Sequence, residues 1–187
     1  MKFTLRKASV LQNEIQEAAK NITLVGRVSL NEFRDPKVAL GTANLELKAN
    51  LDRLSQLNTA LAIVRALVGK ANLTSGVNEK LAGLAAIDKM ISRYTELAVD
   101  TNLAEDVAVV EGRVNKLKTR DETRYYGAET VDTGVLSAAD MEAFKEELRV
   151  LRKRKQSIND EILELNIRTE IELSEEVVSV LKAEKVI

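Results

Sequence analysis

The sequence contains no cysteine, no histidine and no tryptophan, and only one proline, three Phe, three Tyr and eight Gly in 187 residues. Without cysteine there is no disulfide and no thiolate nucleophile, and without histidine the commonest general base and zinc ligand are missing. A turn-rich all-β fold is disfavoured by so little proline and glycine. With so few aromatics the interior must be built from Leu, Ile, Val and Ala, which suits pairs of helices better than a thick globular core. Long apolar runs are lacking too: no stretch approaches about 18 uninterrupted apolar residues, so no membrane span is expected. The opening MKFTLRKASVLQNEI has a basic cluster but no apolar run before Glu14, unlike a secretory signal, and a cytoplasmic protein is expected. Neither sign of charge prevails, with 28 basic against 29 acidic residues, so any anion-binding surface must be local. Neither a calcium loop nor a phosphate-binding glycine loop occurs. The expectation is a protein that is not an enzyme and carries no cofactor or metal.

What the sequence does contain is helical periodicity. From Met141 to Leu165, apolar residues return at alternating steps of three and four: Met141, Phe144, Leu148, Leu151, Ile158, Ile162 and Leu165, with Lys155 in one apolar slot. This is the pattern of a coiled-coil seam. A second seam runs through Leu40, Ala43, Leu47, Asn50, Leu54, Leu57, Leu61, Val64, Val68 and Ala71, entered by Asp35 as N-cap and Pro36 at the first helical position. At 1.5 Å per residue the second seam spans about 48 Å and the first, extended back to Ser137, about 46 Å, which predicts a hairpin arm pairing 36–71 with 137–167. Asn50 and Lys155 would then restrict register, although Lys155 also reads as a seam-edge residue whose ammonium snorkels to water.

Shorter elements complete the reading. Ala8, Leu11, Ile15, Ala18 and Ile22 predict a first helix, and Leu84, Ile87, Ile91, Tyr94 and Ala98 a third with Asn78 as cap. Residues 103–117 fit a helix, with a short strand at 107–110 as the alternative. The β-branched run Thr23 to Ser29 and the alternating Ile167, Thr169, Ile171 and Leu173 predict two strands that pair as a ribbon, 23–29 with 167–173. Ser174 opens a last helix. The fold class predicted is mainly α, an elongated antiparallel helical bundle or coiled coil with a small two-stranded β-ribbon, in one domain, 1–187. Seams of this length predict a homo-oligomer with a helical interface.

The stretches LRKASVLQNEIQEA, GKANLTSG and VDTGVLSAADMEAFKEELRVLRKRKQSINDEILELNIRTEIEL resemble the septicolysin-like family of bacterial and phage helical proteins. Where that family has an aromatic residue, this sequence has Ile167. The resemblance implies a coiled-coil homo-oligomer with a small strand element and no established activity. No membrane-inserting segment accompanies it, so the toxin function that the family name suggests is not carried over.

The chemically suggestive cluster is the connection Arg113 to Tyr126, with Arg113, Lys116, Lys118, Arg120, Arg124, Tyr125 and Tyr126 against Glu111, Asp121 and Glu122. Guanidinium groups bind phosphate bidentately, and tyrosine rings stack on bases, so the set suits a nucleotide. It also reads as a solvated mixed-charge loop. The run Arg149 to Lys155 reads as a solvated coiled-coil flank. Two functions follow: an oligomer that sequesters a small anionic, nucleotide-like ligand, similar in kind to phage proteins that sequester nucleotide immune signals such as cyclic dinucleotides or cyclic ADP-ribose isomers, or a scaffolding coiled coil without a ligand. Neither DNA, RNA nor a membrane is an expected partner.

Overall fold

The computed structural model describes residues 1–119 and 130–187. In chain order the elements are β1 (Lys2–Thr4), α1 (Leu5–Asn21), α2 (Pro36–Thr74), α3 (Val77–Leu97), a 3-10 turn (Asp100–Asn102), α4 (Val107–Lys118), α5 (Ala138–Arg168), β2 (Glu170–Glu172) and α6 (Glu175–Ala183). The fold is mainly α with one two-stranded antiparallel sheet, the class that the sequence predicts. Where one domain is expected from the sequence, the chain divides into two compact units, Met1–Glu79 with Glu161–Ile187, and Lys80–Asp160.

In the first unit α1 starts at Thr4, whose hydroxyl oxygen accepts from the Lys7 amide at 3.3 Å. Its apolar stripe, Leu5, Ala8, Leu11 and Ile15, is buried together with Leu57, Ala60, Leu61 and Val64 of α2 and Val177 and Leu181 of α6. Pro36 opens α2, where its missing amide costs nothing, and the Asp35 carboxylate accepts from the Lys37 amide at 2.9 Å. The helix runs three residues past its predicted end at Ala71. The Thr74 hydroxyl bonds back to the Lys70 and Ala71 carbonyls, so polar residues that read as a turn continue the helix. Gly76, at φ 78°, then takes the left-handed conformation that turns the chain into α3.

The ribbon differs from expectation in one partner. Phe3 pairs with Ile171 and Lys2 with Glu172, and the Met1 and Thr169 carbonyls extend the ladder by accepting from Leu173 and Leu5 at 2.9 Å each. Residues 23–29 form no strand. The pairing with Lys2–Thr4 wins because β1 leads directly into α1, so that Ile171 and Leu173 enter the same core as Leu5. Ile167 and Arg168 belong to α5, which delays the strand to Glu170.

Within the second unit α5 packs against α3, where the sequence predicts 36–71 as its partner. The Tyr94 and Phe144 rings lie 5.4 Å apart, and Lys155 pairs with Asp88 at 2.6 Å. Ile87, Met141, Leu148 and Leu151 are buried. The apolar face of α2 is already covered over Leu57 to Val64 by α1 and α6, whereas α3 offers α5 a seam of the same three-four spacing. Lys155 keeps 41% of its side chain exposed, as a seam-edge residue does. At the start of α5 the Asp140 carboxylate accepts from the Ser137 hydroxyl at 2.6 Å and amide at 2.9 Å, while the Ser137 oxygen accepts from the Asp140 amide at 3.2 Å, a reciprocal cap.

Candidate functional site

The basic cluster begins on α4, and two connections hold that helix in place. Leu103 forms a parallel bridge with Leu136; the Ala104 amide donates to the Leu136 carbonyl at 2.8 Å, and the Leu136 amide to the Asn102 carbonyl at 2.9 Å. The Asn102 side-chain amide donates to the Glu96 and Leu97 carbonyls, closing the end of α3. A Cβ added to Gly134 would fall 2.2 Å from the Leu103 carbonyl oxygen, so this crossing requires glycine. Of the two sequence readings of 103–117 the helix holds from Val107, where the Asp106 carboxylate accepts from the Ala108 amide at 2.8 Å, and 107–110 form no strand; Leu103 lies before the helix, in the bridge.

Arg113 lies in the middle of α4, half exposed. Its Nη2 donates to the Glu105 carboxylate, while its Nε is buried and has no hydrogen-bond partner among the described residues. Arg113, Lys116 and Leu117 form one wall of an open cleft of about 590 Å³, and Thr130, Val131 and Asp132 form the other. Lys116 and Lys118 stand in the last turn of α4, where they offset the negative end of the helix dipole. Lys118 lines a second cleft, of about 580 Å³, together with Val107, Glu111, Val114 and Thr133. The five-residue step from Arg113 to Lys118 turns the two cations onto different helix faces.

Of the residues singled out from the sequence, Arg113 and Lys116 come together and Lys118 stands apart. Arg120, Arg124, Tyr125 and Tyr126, with Asp121 and Glu122, lie outside the described residues. The sequence does not single out Glu105 or Asp132. Glu105 precedes Arg113 by eight residues and belongs to the connection before the helix, so no helical spacing joins them. Among the described residues, Arg113 and Lys116 of the first cleft are accompanied by two acids, Asp132 in its wall and Glu105 on the Arg113 guanidinium. Among the described residues, no group of three or more acidic residues is placed to hold a metal ion, and no helix is long and apolar enough to cross a membrane. Compared with family models, curated proteins and solved structures, the chain gives no match.

Proposed function

We propose that the chain is a non-catalytic, oligomeric helical protein that binds and sequesters a small anionic, nucleotide-like ligand beside α4. The observation that supports this reading is the state of Arg113: one edge of its guanidinium is held by Glu105, its buried Nε has no acceptor among the described residues, and the residue lines a cleft. A buried donor without an acceptor is costly, on the order of 1–3 kcal/mol, and a phosphate oxygen would relieve that cost. Lys116 would add a second donor, and the Thr130 hydroxyl a neutral one. In this reading the chain is similar in type, though by no motif, to phage proteins that take up nucleotide immune signals in the cytoplasm without cleaving them.

Calorimetric titration of the full chain with cyclic dinucleotides and cyclic ADP-ribose isomers tests the proposal. Binding that falls at least tenfold in Arg113→Ala is the expected result, since a hydrogen bond to a charged group contributes roughly 1.5–3 kcal/mol. Absence of heat with every compound would leave the second reading, a scaffold that binds no small molecule. The observation favouring that reading is the exposed apolar surface of α2, where Val38, Leu40, Leu45 and Leu51 face solvent.

A further inference from the structure

Residues 22–30, Ile-Thr-Leu-Val-Gly-Arg-Val-Ser-Leu, run from α1 towards α2 without a turn or bend. None of the peptide groups of 23–30 makes a backbone hydrogen bond to any described residue; the Thr23 carbonyl alone is engaged, accepting from the Asn50 side-chain amide at 3.1 Å. The residue types nevertheless alternate as in a strand. Ile22, Leu24, Val28 and Leu30 alternate with Thr23, Val25, Arg27 and Ser29, and of all nine only Ile22 and Val28 are half buried. The sequence of a strand is therefore present, and its backbone is unpaired among the described residues. The one sheet among the described residues joins β1 to β2 and leaves no strand to pair with this segment.

We infer that residues 23–29 form an intermolecular antiparallel ribbon with the same segment of a second copy, around a two-fold axis at Gly26. This places the oligomer's interface on a ribbon, where the seams alone predict a helical one; it rests on the assembly part of the proposed function and is independent of the ligand. The segment is complementary to itself. A two-fold at Gly26 sets Leu24 opposite Val28 and Ile22 opposite Leu30, so that the cross-strand pairs on the side carrying Ile22 and Val28 are apolar. Arg27, the only charged residue in the segment, faces Val25 and not another arginine. Pairing would bring together Leu24, Val25 and Leu30, each exposed in the single chain. An unpaired, largely apolar edge is a template for pairing with another chain, and symmetry favours a like edge.

The test uses the absence of cysteine from the chain. A Cβ at Gly26 meets nothing within 4 Å, so Gly26→Cys is accommodated without rearrangement. Under mild oxidation this full-length variant should give a covalent dimer of twice the 20.7 kDa chain mass. Ser29→Cys, whose copies would stand roughly 20 Å apart in this register, should not. In the unmodified protein the amides of 23–29 should exchange slowly at high concentration and rapidly on dilution to monomer, while Val25→Pro, lacking one ladder donor, should halve the light-scattering mass and keep its helical circular dichroism. A monomeric native protein overturns both this inference and the assembly part of the proposed function. A native oligomer with fast exchange at 23–29, or with equal cross-linking from Gly26→Cys and Ser29→Cys, overturns this inference alone. Cross-linking at Gly26 with no ligand heat overturns only the ligand-binding half.

Discussion

Arg53 of α2 donates two hydrogen bonds to the Glu184 carboxylate just past α6, from Nε at 2.8 Å and from Nη2 at 2.7 Å, across 131 positions of sequence. Planar bidentate geometry makes this more than an incidental surface pair, and only 13% of the Glu184 side chain is exposed. The Arg53 hydrogen bonds hold the Glu184 carboxyl below its usual range, and its partial burial opposes them.

The sign of the pH dependence follows. Glu184 releases its proton more readily folded than unfolded, so its contribution is present above the ordinary carboxylate range and is lost as pH falls through the depressed folded value. The Ser137 hydroxyl and amide depress Asp140 in the same direction. Thermal melts from pH 7 to about pH 2 should show falling stability below about pH 4.5. Glu184→Gln should melt lower than the native protein at pH 7, with the gap closing in acid. A constant gap would assign the loss to packing and not to the charge.

Lys185 carries the left-handed φ of 56° that ends α6, with the Val186 amide donating to the Leu181 carbonyl at 2.9 Å and the Lys185 amide to the Lys182 carbonyl at 3.1 Å. This is the six-to-one and five-to-two pattern in which glycine is the usual residue. Lys185→Gly should stabilise the protein by about 1 kcal/mol in denaturant melts, because glycine adopts this backbone without the Cβ clash. Lys185→Val should destabilise it by a similar amount or more, since a β-branched residue resists φ above zero.

Gly134→Ala should lower stability by about 1–3 kcal/mol, the usual range for overpacking, because the atoms in the way belong to the Asn102 and Leu103 backbone and not to a flexible side chain. The change should be seen as faster amide exchange at Ala104 and Leu136, whose hydrogen bonds close that crossing. Unchanged exchange there would show that the crossing tolerates a methyl group.

The helices were legible because their periods are long. The seam from Met141 to Leu165 and the Asp35-Pro36 start of α2 lie where the sequence puts them. Pairing was less legible. One apolar stripe looks like another, and the choice of α3 over α2 as the partner of α5 depends on which faces α1 and α6 have already covered. β1 spans three residues, too few to display alternation, so by sequence Thr23–Ser29 is the better mate for the strand after α5. Within the candidate site, Arg113 and Lys116 could be chosen by residue type. The hold of Glu105 on Arg113 could not, because it depends on the backbone crossing at Gly134.

Glu105 competes with any anion for Arg113, and that competition gives the most direct test of the binding reading. Titrating native protein, Glu105→Gln and Arg113→Ala with the same nucleotide panel should rank affinity as Glu105→Gln above native above Arg113→Ala. Removing the acid frees the guanidinium, and removing the guanidinium costs at least about tenfold. Absence of binding to the native protein, or equal affinity in all three, would contradict the account.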